Sequence, residues 1–564
     1  MFKKAAFANV WKSIDWKLLL FLLLFLDVKL WVKVSALILV FIIRADFKFG
    51  FRLKDSRLPL FYPIVILVVL LNWLLGGQIF EPNYLLVVFL GTAFWCLCIL
   101  ALHQVKLSIE QNDIEVIHRT LLWFFILNAA VSLIVYAGII IETGHANPYR
   151  YQGNFQKYFL GTGDYIKGIT LDSSTTNAVL NGFGIIYYLF RKNFGMVLLC
   201  TLVLLLTASN ITNFIVLVVF VYLFIAGTSK NQKSIIVACL AMSIVFLVKV
   251  SPQNNRYFRN LYNRLSHDLV REKPVYLNTQ SITDYPDSVL SPEDRKKKVA
   301  QLYLDSVRGQ KKITREQAIA TIVKPEKIVS RLPEKAPLSN TVKIIPVKYT
   351  EKPMIPRDSI HTPTFQHKND TTIVERKMLQ FIDSQHTQLT AAASRKHDLH
   401  IPGKIYAFIQ TFGYFRDHPL RLLTGLGIGN FASKLAFRST SMNIAGSYPE
   451  RYTYINRDFE RNHLDLYLFY FTNTDDFHSI VNTPNSTYDQ LLSEYGLVGL
   501  AAFAFFYIGY FLKRIKLTAY SVSLLLFMLG AFVFEYWFEQ LSVVLFFELL
   551  ILLNGKENNI KNYA

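Results

Sequence analysis

Long uncharged runs of Leu, Ile, Val and Phe constrain this chain more than any other feature. Windows such as 59–75, 84–103 and 120–142 approach the ~20 apolar residues needed to cross a bilayer core. Inside lipid a segment must satisfy its own backbone hydrogen bonds, and a run of this kind does so as a helix. With 52% of its 564 residues hydrophobic, the chain reads as an all-α polytopic membrane protein. Apolar runs predict spans near 18–27, 30–43, 59–75, 84–103, 120–142, 172–190, 194–208, 211–227 and 234–250, then 487–512, 517–535 and 538–553. That is about 12 transmembrane helices. The first two are short and broken at Asp27-Val-Lys29; a single long tilted helix is the other reading. The basic N-terminus (Lys3, Lys4, Lys12, Lys17) precedes an apolar run with no small-residue cleavage pattern, so it reads as a retained span.

Cations in the short loops predict orientation. Arg44, Lys48, Arg52, Lys54 and Arg57 occupy one loop, and Arg191-Lys192, Lys230, Lys233 and Lys513-Arg-Ile-Lys516 occupy every second loop thereafter. The intervening loop Gly76–Asn83 carries none. The basic loops are expected inside, so both termini are cytoplasmic, and 143–171 and 251–486 lie outside. Three regions follow: an N-terminal membrane domain 1–250 of about nine spans, a large periplasmic loop domain 251–486, and a C-terminal membrane domain 487–564 of about three spans. The loop contains a Pro-, Lys- and Thr-rich linker at 322–375. A helix is expected at 375–395. Another is expected at 403–418, where Ile405, Phe408, Ile409, Phe412 and Phe415 share one face. The aromatic-rich part 448–478 is expected on the outer membrane surface.

The net charge of +20 does not point to nucleic acid, because no nucleic-acid-binding module is present. A basic surface beside a membrane suits anionic lipid or a diphosphate. The four cysteines, Cys96, Cys98, Cys200 and Cys239, fall in apolar runs and read as small buried hydrophobes rather than disulfides or zinc ligands.

Three stretches carry the functional reading. Leu422-Leu-Thr-Gly-Leu-Gly-Ile-Gly-Asn-Phe431 follows an amphipathic helix and lacks the strand–loop–helix setting of a nucleotide site, so it reads as a glycine-rich helix stop. Asn482-Thr-Pro-Asn-Ser-Thr-Tyr-Asp-Gln-Leu-Leu-Ser-Glu-Tyr-Gly-Leu-Val-Gly-Leu500 enters a span. There Asn485 or Ser486 is expected to cap the helix, with Asp489 at capping-box spacing. A helix start of this kind also favours anions. The third is Asn147-Pro-Tyr-Arg-Tyr-Gln-Gly153, with the only arginine of its loop, Arg150.

Together these pieces resemble the O-antigen ligase and O-antigen polymerase family. The resemblance lies in Pro419–Phe431, in Pro484–Leu500, and in Arg150-Tyr-Gln-Gly153 ahead of Asn177-Ala178. It covers most of the chain outside 255–400. It implies glycan transfer at the periplasmic face of the inner membrane: a glycan on undecaprenyl diphosphate moves to an acceptor hydroxyl, basic residues hold the diphosphate, and neither metal nor cofactor is needed. Membrane lipid and a chain-length regulator or other assembly protein are the partners to expect. Departures from the ligase pattern favour a polymerase. The ligase histidine falls on Asn485, the helix-opening arginine on Lys404, and a Ser-Arg pair on Ser209-Asn210.

Under this reading Arg150, Lys404, Arg438 and Arg451 are the candidate diphosphate ligands, and Asn485 orients donor or acceptor. His478 is the candidate base, followed by Asp475, Asp476 and Glu494. The alternatives are an O-antigen ligase acting on lipid A-core or protein, a polysaccharide transporter or flippase, and a non-catalytic scaffold. Charged residues within spans are the mark of transport; Asp27, Lys29 and Glu535 are few and lie near span ends.

Overall fold

The computed structural model describes residues 13–76, 79–150, 165–226, 228–251, 403–440, 448–464, 466 and 483–561. The linker 322–375, the helix expected at 375–395 and His478 lie outside the described residues, as do Asp475 and Asp476. Every regular element among the described residues is helical. All belong to one unit formed by Met1–Leu261 with Met354–Ala564.

In chain order the helices are α1 Trp16–Phe25, α2 Leu30–Ile43, α3 Phe61–Leu75, α4 Pro82–Gln111, α5 Ile114–Thr143, α6 Ser174–Phe190, α7 Phe194–Leu206, α8 Asn210–Ile225 and α9 Lys230–Val245. Then come α10 Gly403–Asp417, α11 Arg421–Thr424, α12 Lys434–Ser439, α13 Arg457–Asn462, α14 Thr487–Ala502, α15 Ala519–Ala531, α16 Trp537–Gln540 and α17 Ser542–Lys561. Among the described residues four stretches are long and apolar enough to cross a membrane: Pro82–Gln111, Ile114–Thr143, Lys230–Val250 and Thr487–Leu512. Shorter apolar helices of 10–17 residues stand beside them, among them α1–α3, α7, α8 and α15. These helices fit a membrane protein.

Local sequence sets the helix limits. Asp15 accepts from the Lys17 and Leu18 N–H groups at 3.1 Å and starts α1. Ser229 and Gln232 form a capping box on α9. The break at Asp27-Val-Lys29 separates α1 from α2, so the first pair is two helices rather than one. The last expected span, 538–553, is also broken: α16 ends at Gln540, and Leu541 turns the chain with φ 69° before α17.

Contacts gather the helix ends into two groups. At one end Arg57 pairs with Glu110 at 2.6 Å, Arg514 donates to Ser56 O, Lys556 donates to Ile109 O and Asn112 O at 2.6 Å, and Arg191 pairs with Glu557. At the other end Val28 N–H donates to Thr170 O at 2.8 Å, Asn147 donates to Val250 O at 2.9 Å, and Asn83 donates to Thr453 O at 2.9 Å. The second end carries α10–α13. Between the ends, Phe61, Tyr62, Trp95, Phe503, Tyr507 and Phe538 interlock edge-to-face in the core.

Two expectations need correction, the helix cap at 485–489 and the burial of Cys96. Ser486 holds the first position before α14 but makes no side-chain capping bond. The Asp489 carboxylate instead accepts from the Thr411 hydroxyl at 2.7 Å, and the Thr487 N–H is taken by Phe532 O at 3.1 Å. Neighbouring chain segments satisfy this helix start, so the capping box does not form. The helix expected at 403–418 forms as α10, and of its apolar face Ile405, Ile409 and Phe412 are exposed while Phe415 is buried. The face bearing Lys404, Ala407, Gln410 and Thr411 is the buried one. Cys96 departs from the buried position expected of it and is exposed, whereas Cys98, Cys200 and Cys239 are buried as expected; none forms a disulfide.

Candidate functional site

The two glycine-bearing stretches run backbone against backbone. Leu426 N–H donates to Ser493 O at 2.9 Å, and Gly427 N–H donates to Glu494 O at 3.0 Å. The crossing works because it lacks two Cβ atoms. A Cβ on Gly425 would stand 2.4 Å from the Glu494 carbonyl, and one on Gly496 would stand 2.4 Å from Leu423 O. Both glycines also hold positive φ, 78° and 66°, where an L side chain is strained. Gly496 takes α14 out of its helical path at that point. The sequence reading of 422–431 as a helix stop is thus half of the structure: α11 stops at Gly425, and the loop after it docks on α14.

Side chains fix the rest of the loop. Asn72 donates to Thr424 O at 2.6 Å. Asn430 donates to the Tyr84 hydroxyl at 2.9 Å and to Leu426 O at 2.8 Å, while its own oxygen accepts from the Tyr454 hydroxyl at 2.7 Å. The Glu494 carboxylate is fully buried and accepts from Phe431 N–H at 3.2 Å. Gly429 and Ser433 also lie against it.

Beside this scaffold a second polar layer forms where 483–490 meets 532–541. Ser486 and Glu535 bridge in parallel, and the Thr487 hydroxyl donates to Glu535 O at 2.9 Å. Glu535 sits at φ 66°, a strained conformation for a residue with a side chain. Its carboxylate accepts from Gln540 at 3.1 Å and, in a longer contact of 3.5 Å, from Asn485. One turn on, Glu539 accepts from Gln490, and the charges of Arg438 and Lys434 act on Glu539. Lys404 reaches this layer from α10. Its ammonium is buried and donates to Thr483 O at 2.8 Å. Burial lowers its pKa from the usual lysine range to about 7, opposed by the charge of Glu535.

Buried polar atoms in native proteins almost always find a partner. Here a run of them does not. Asn485 Oδ1, Ser486 Oγ, Asp489 Oδ2, Gln490 Oε1, Ser493 Oγ and Glu494 Oε2 all lack a hydrogen-bond partner among the described residues, and so do Gln540 Oε1 and Arg438 Nε. A concentration of this kind marks the place where a polar ligand or water is expected.

Of the residues singled out from the sequence, Lys404 and Asn485 are brought together at Glu535. Glu494 lies behind the glycine loop, where it positions Phe431. Arg438 lies on α12 within the electrostatic reach of Glu539. Arg451 is exposed and stacks over Tyr452 at 4.6 Å, and none of the described contacts joins it to the others. Its segment is tied to α12 by Tyr448 N–H to Arg438 O at 3.0 Å and Tyr454 N–H to Ser439 O at 2.9 Å. Arg150 ends a short 3-10 turn, and its side chain lies outside the described residues, as does His478. Asn177 is buried within a network: it accepts from Asn128 at 2.8 Å and donates to Ile166 O at 2.9 Å and Ser132 at 3.1 Å. It clamps the loop before α6.

Sequence reasoning missed Gln490, Gln540 and Glu539. The available signal was a pair of carboxylates four residues apart, Glu535 and Glu539, inside an otherwise apolar stretch. It also missed two ionisable groups inside apolar helices. Lys33 of α2 donates to Phe25 O at 2.7 Å and to the Ser542 hydroxyl at 2.9 Å. Glu548 of α17 accepts from the Tyr62 hydroxyl.

Among the described residues no group of His, Cys, Asp and Glu side chains is placed to hold a metal ion. Comparison of the chain with protein-family models, curated proteins and solved structures finds no match.

Proposed function

We propose that this chain is a polysaccharide polymerase that joins glycan repeat units carried on undecaprenyl diphosphate. In this reading twelve helices cross the inner membrane: α1–α9, α14 with its continuation to Leu512, α15 and α17. Both termini are cytoplasmic, and the end bearing α10–α13 is periplasmic. The observation that carries the reading is the buried patch of unpartnered polar atoms beside Lys404 and Arg438, at the ends of apolar helices. A lipid-linked diphosphate needs this combination: cations for the phosphates, polar groups for the sugar, and an apolar neighbourhood for the tail.

The chemistry is a displacement at the anomeric carbon. The acceptor hydroxyl oxygen forms a bond to that carbon, and the bond from carbon to diphosphate oxygen breaks. Undecaprenyl diphosphate leaves with the electron pair, and the hydroxyl proton passes to a base. Negative charge grows on the leaving diphosphate, and fixed cations stabilise it. Lys404 acts as a compact charge and Arg438 and Arg150 as planar donors. Asn485 orients the sugar, and His478 is the base assigned from the sequence. Glu494 positions the glycine loop. A ligase of the same chemistry would be told apart by its product, glycan on lipid A-core or protein in place of a longer lipid-linked chain.

Glycan chain length in cells carrying Lys404→Ala or Arg150→Ala tests the reading. Shortened or absent polymer at a normal protein level is expected. Undiminished polymer overturns the assignment.

A further inference from the structure

Two carboxylates fix the orientation of three carboxamides at the site. Gln490 turns its NH2 group toward Glu539, and Gln540 and Asn485 turn theirs toward the two oxygens of Glu535. An ionised carboxylate only accepts hydrogen bonds, so Gln540 and Asn485 present their nitrogens to Glu535 and their carbonyl oxygens elsewhere, and Gln490 is turned the same way against Glu539. Those carbonyl oxygens, Asn485 Oδ1, Gln490 Oε1 and Gln540 Oε1, are buried and have no hydrogen-bond partner among the described residues. Asp489 Oδ2 is in the same condition. The three amide oxygens are acceptors. The Ser486 and Ser493 hydroxyls beside them serve in either sense. Arg438 Nε is the bare donor of the group.

Acceptors of this kind discriminate between ligands. A diphosphate or a carboxylated sugar brings further acceptors and would leave the carbonyls bare. A carboxylated sugar would also stand close to Glu535, where like charge is unfavourable at short range. An uncharged sugar brings several O–H donors.

We propose that Asn485, Gln490 and Gln540 form a sugar subsite that takes an uncharged, hydroxyl-rich residue of the glycan and rejects uronic acids. The identity of the ligand as a glycan rests on the polymerase reading; the subsite adds a division of labour to it. Lys404 and Arg438 meet the diphosphate, the amide carbonyls meet the sugar hydroxyls, and Glu535 and Glu539 hold the amides in register. The sugar next to the reacting bond is therefore neutral.

The test uses the full chain in lipid nanodiscs with two neutral disaccharides, N,N′-diacetylchitobiose and maltose, and with digalacturonate. Binding is followed by saturation-transfer NMR, and undecaprenyl diphosphate is titrated into parallel samples. At least one neutral disaccharide is expected to bind, and digalacturonate to bind roughly tenfold more weakly. Gln490→Met and Gln540→Met are each expected to weaken the neutral sugar roughly three- to tenfold, the effect of a lost hydrogen bond. Digalacturonate binding as tightly as the neutral sugars overturns the subsite, and so does the absence of neutral-sugar binding. If the variants fail to fold, the wild-type comparison of the three sugars decides by itself. Neutral-sugar binding without undecaprenyl diphosphate binding supports the subsite and strikes down the polymerase reading. The reverse pattern does the opposite.

Discussion

The buried ammonium of Lys404 makes diphosphate binding depend on pH in a way that can be worked out. Burial holds its pKa near 7, so about half of the side chain is charged at pH 7. An anion bound beside it restores the pKa to the ordinary lysine range, and binding then takes up a proton whenever Lys404 starts neutral. The sign follows: affinity is greatest below pH 7 and falls as pH rises above it. From pH 7 to 8.5 the charged fraction drops from about one half to about one in thirty, roughly a sixteenfold loss of affinity or about 1.6 kcal/mol. The assay is undecaprenyl diphosphate binding to the full chain in nanodiscs at half-unit steps from pH 6.5 to 8.5. Lys404→Arg carries a permanent charge and removes this component, while the ionisation of the diphosphate itself is common to both proteins. A wild-type curve parallel to that of Lys404→Arg would refute the reasoning.

Three further predictions follow from the same geometry. Gly496→Ala places a Cβ 2.4 Å from Leu423 O at positive φ; at least 1–3 kcal/mol of strain, on the order of other forced left-handed residues, lowers the thermal midpoint, and an unchanged midpoint would speak against the backbone docking. Glu494→Leu leaves the Phe431 N–H without its acceptor and is expected to cost about 1–3 kcal/mol in chemical denaturation, whereas Glu494→Gln keeps an acceptor oxygen and costs less. Asn177→Leu strips the clamp on Ile166 and on the Asn128 amide, so hydrogen exchange in the 165–171 loop should rise while the core of α6 stays protected.

Much of the architecture is readable from hydropathy, because a backbone in lipid has few options and apolar runs declare themselves. The helices at 82–111, 114–143 and 487–512 overlap the expected spans for that reason. Helical period alone does not say which face has a partner. In α10 the apolar stripe Ile405, Ile409 and Phe412 is exposed, and the stripe with Lys404 and Thr411 is buried, because Asp489 and Thr483 supply the inward partners. Those partners are more than seventy residues away in the chain, so no local pattern announces them. The capping-box spacing at Ser486 and Asp489 misleads for a similar reason: Thr411 and Phe532 reach the helix start first.

The site itself was legible where glycine or charge marks it. Gly425 and Gly496 stand out in sequence, and their meeting explains why both stretches carry glycine. Lys404 and Asn485, both singled out from the sequence, come together at Glu535, whereas Gln490 and Gln540 were not singled out. An amide in a polar turn is unremarked until Glu535 and Glu539 are seen to orient it. The turn that carries those carboxylates, 532–541, was hidden because its flanks read as two continuous spans.

The most direct measurement of the central claim is reconstitution. The purified chain in liposomes is given a synthetic undecaprenyl-diphosphate-linked repeat unit, and its products are resolved by length. The account predicts a ladder of lipid-linked glycans two units and longer, with undecaprenyl diphosphate released at each step, and loss of the ladder with Lys404→Ala. A folded protein that lengthens nothing would contradict it, as would Lys404→Ala building the same ladder.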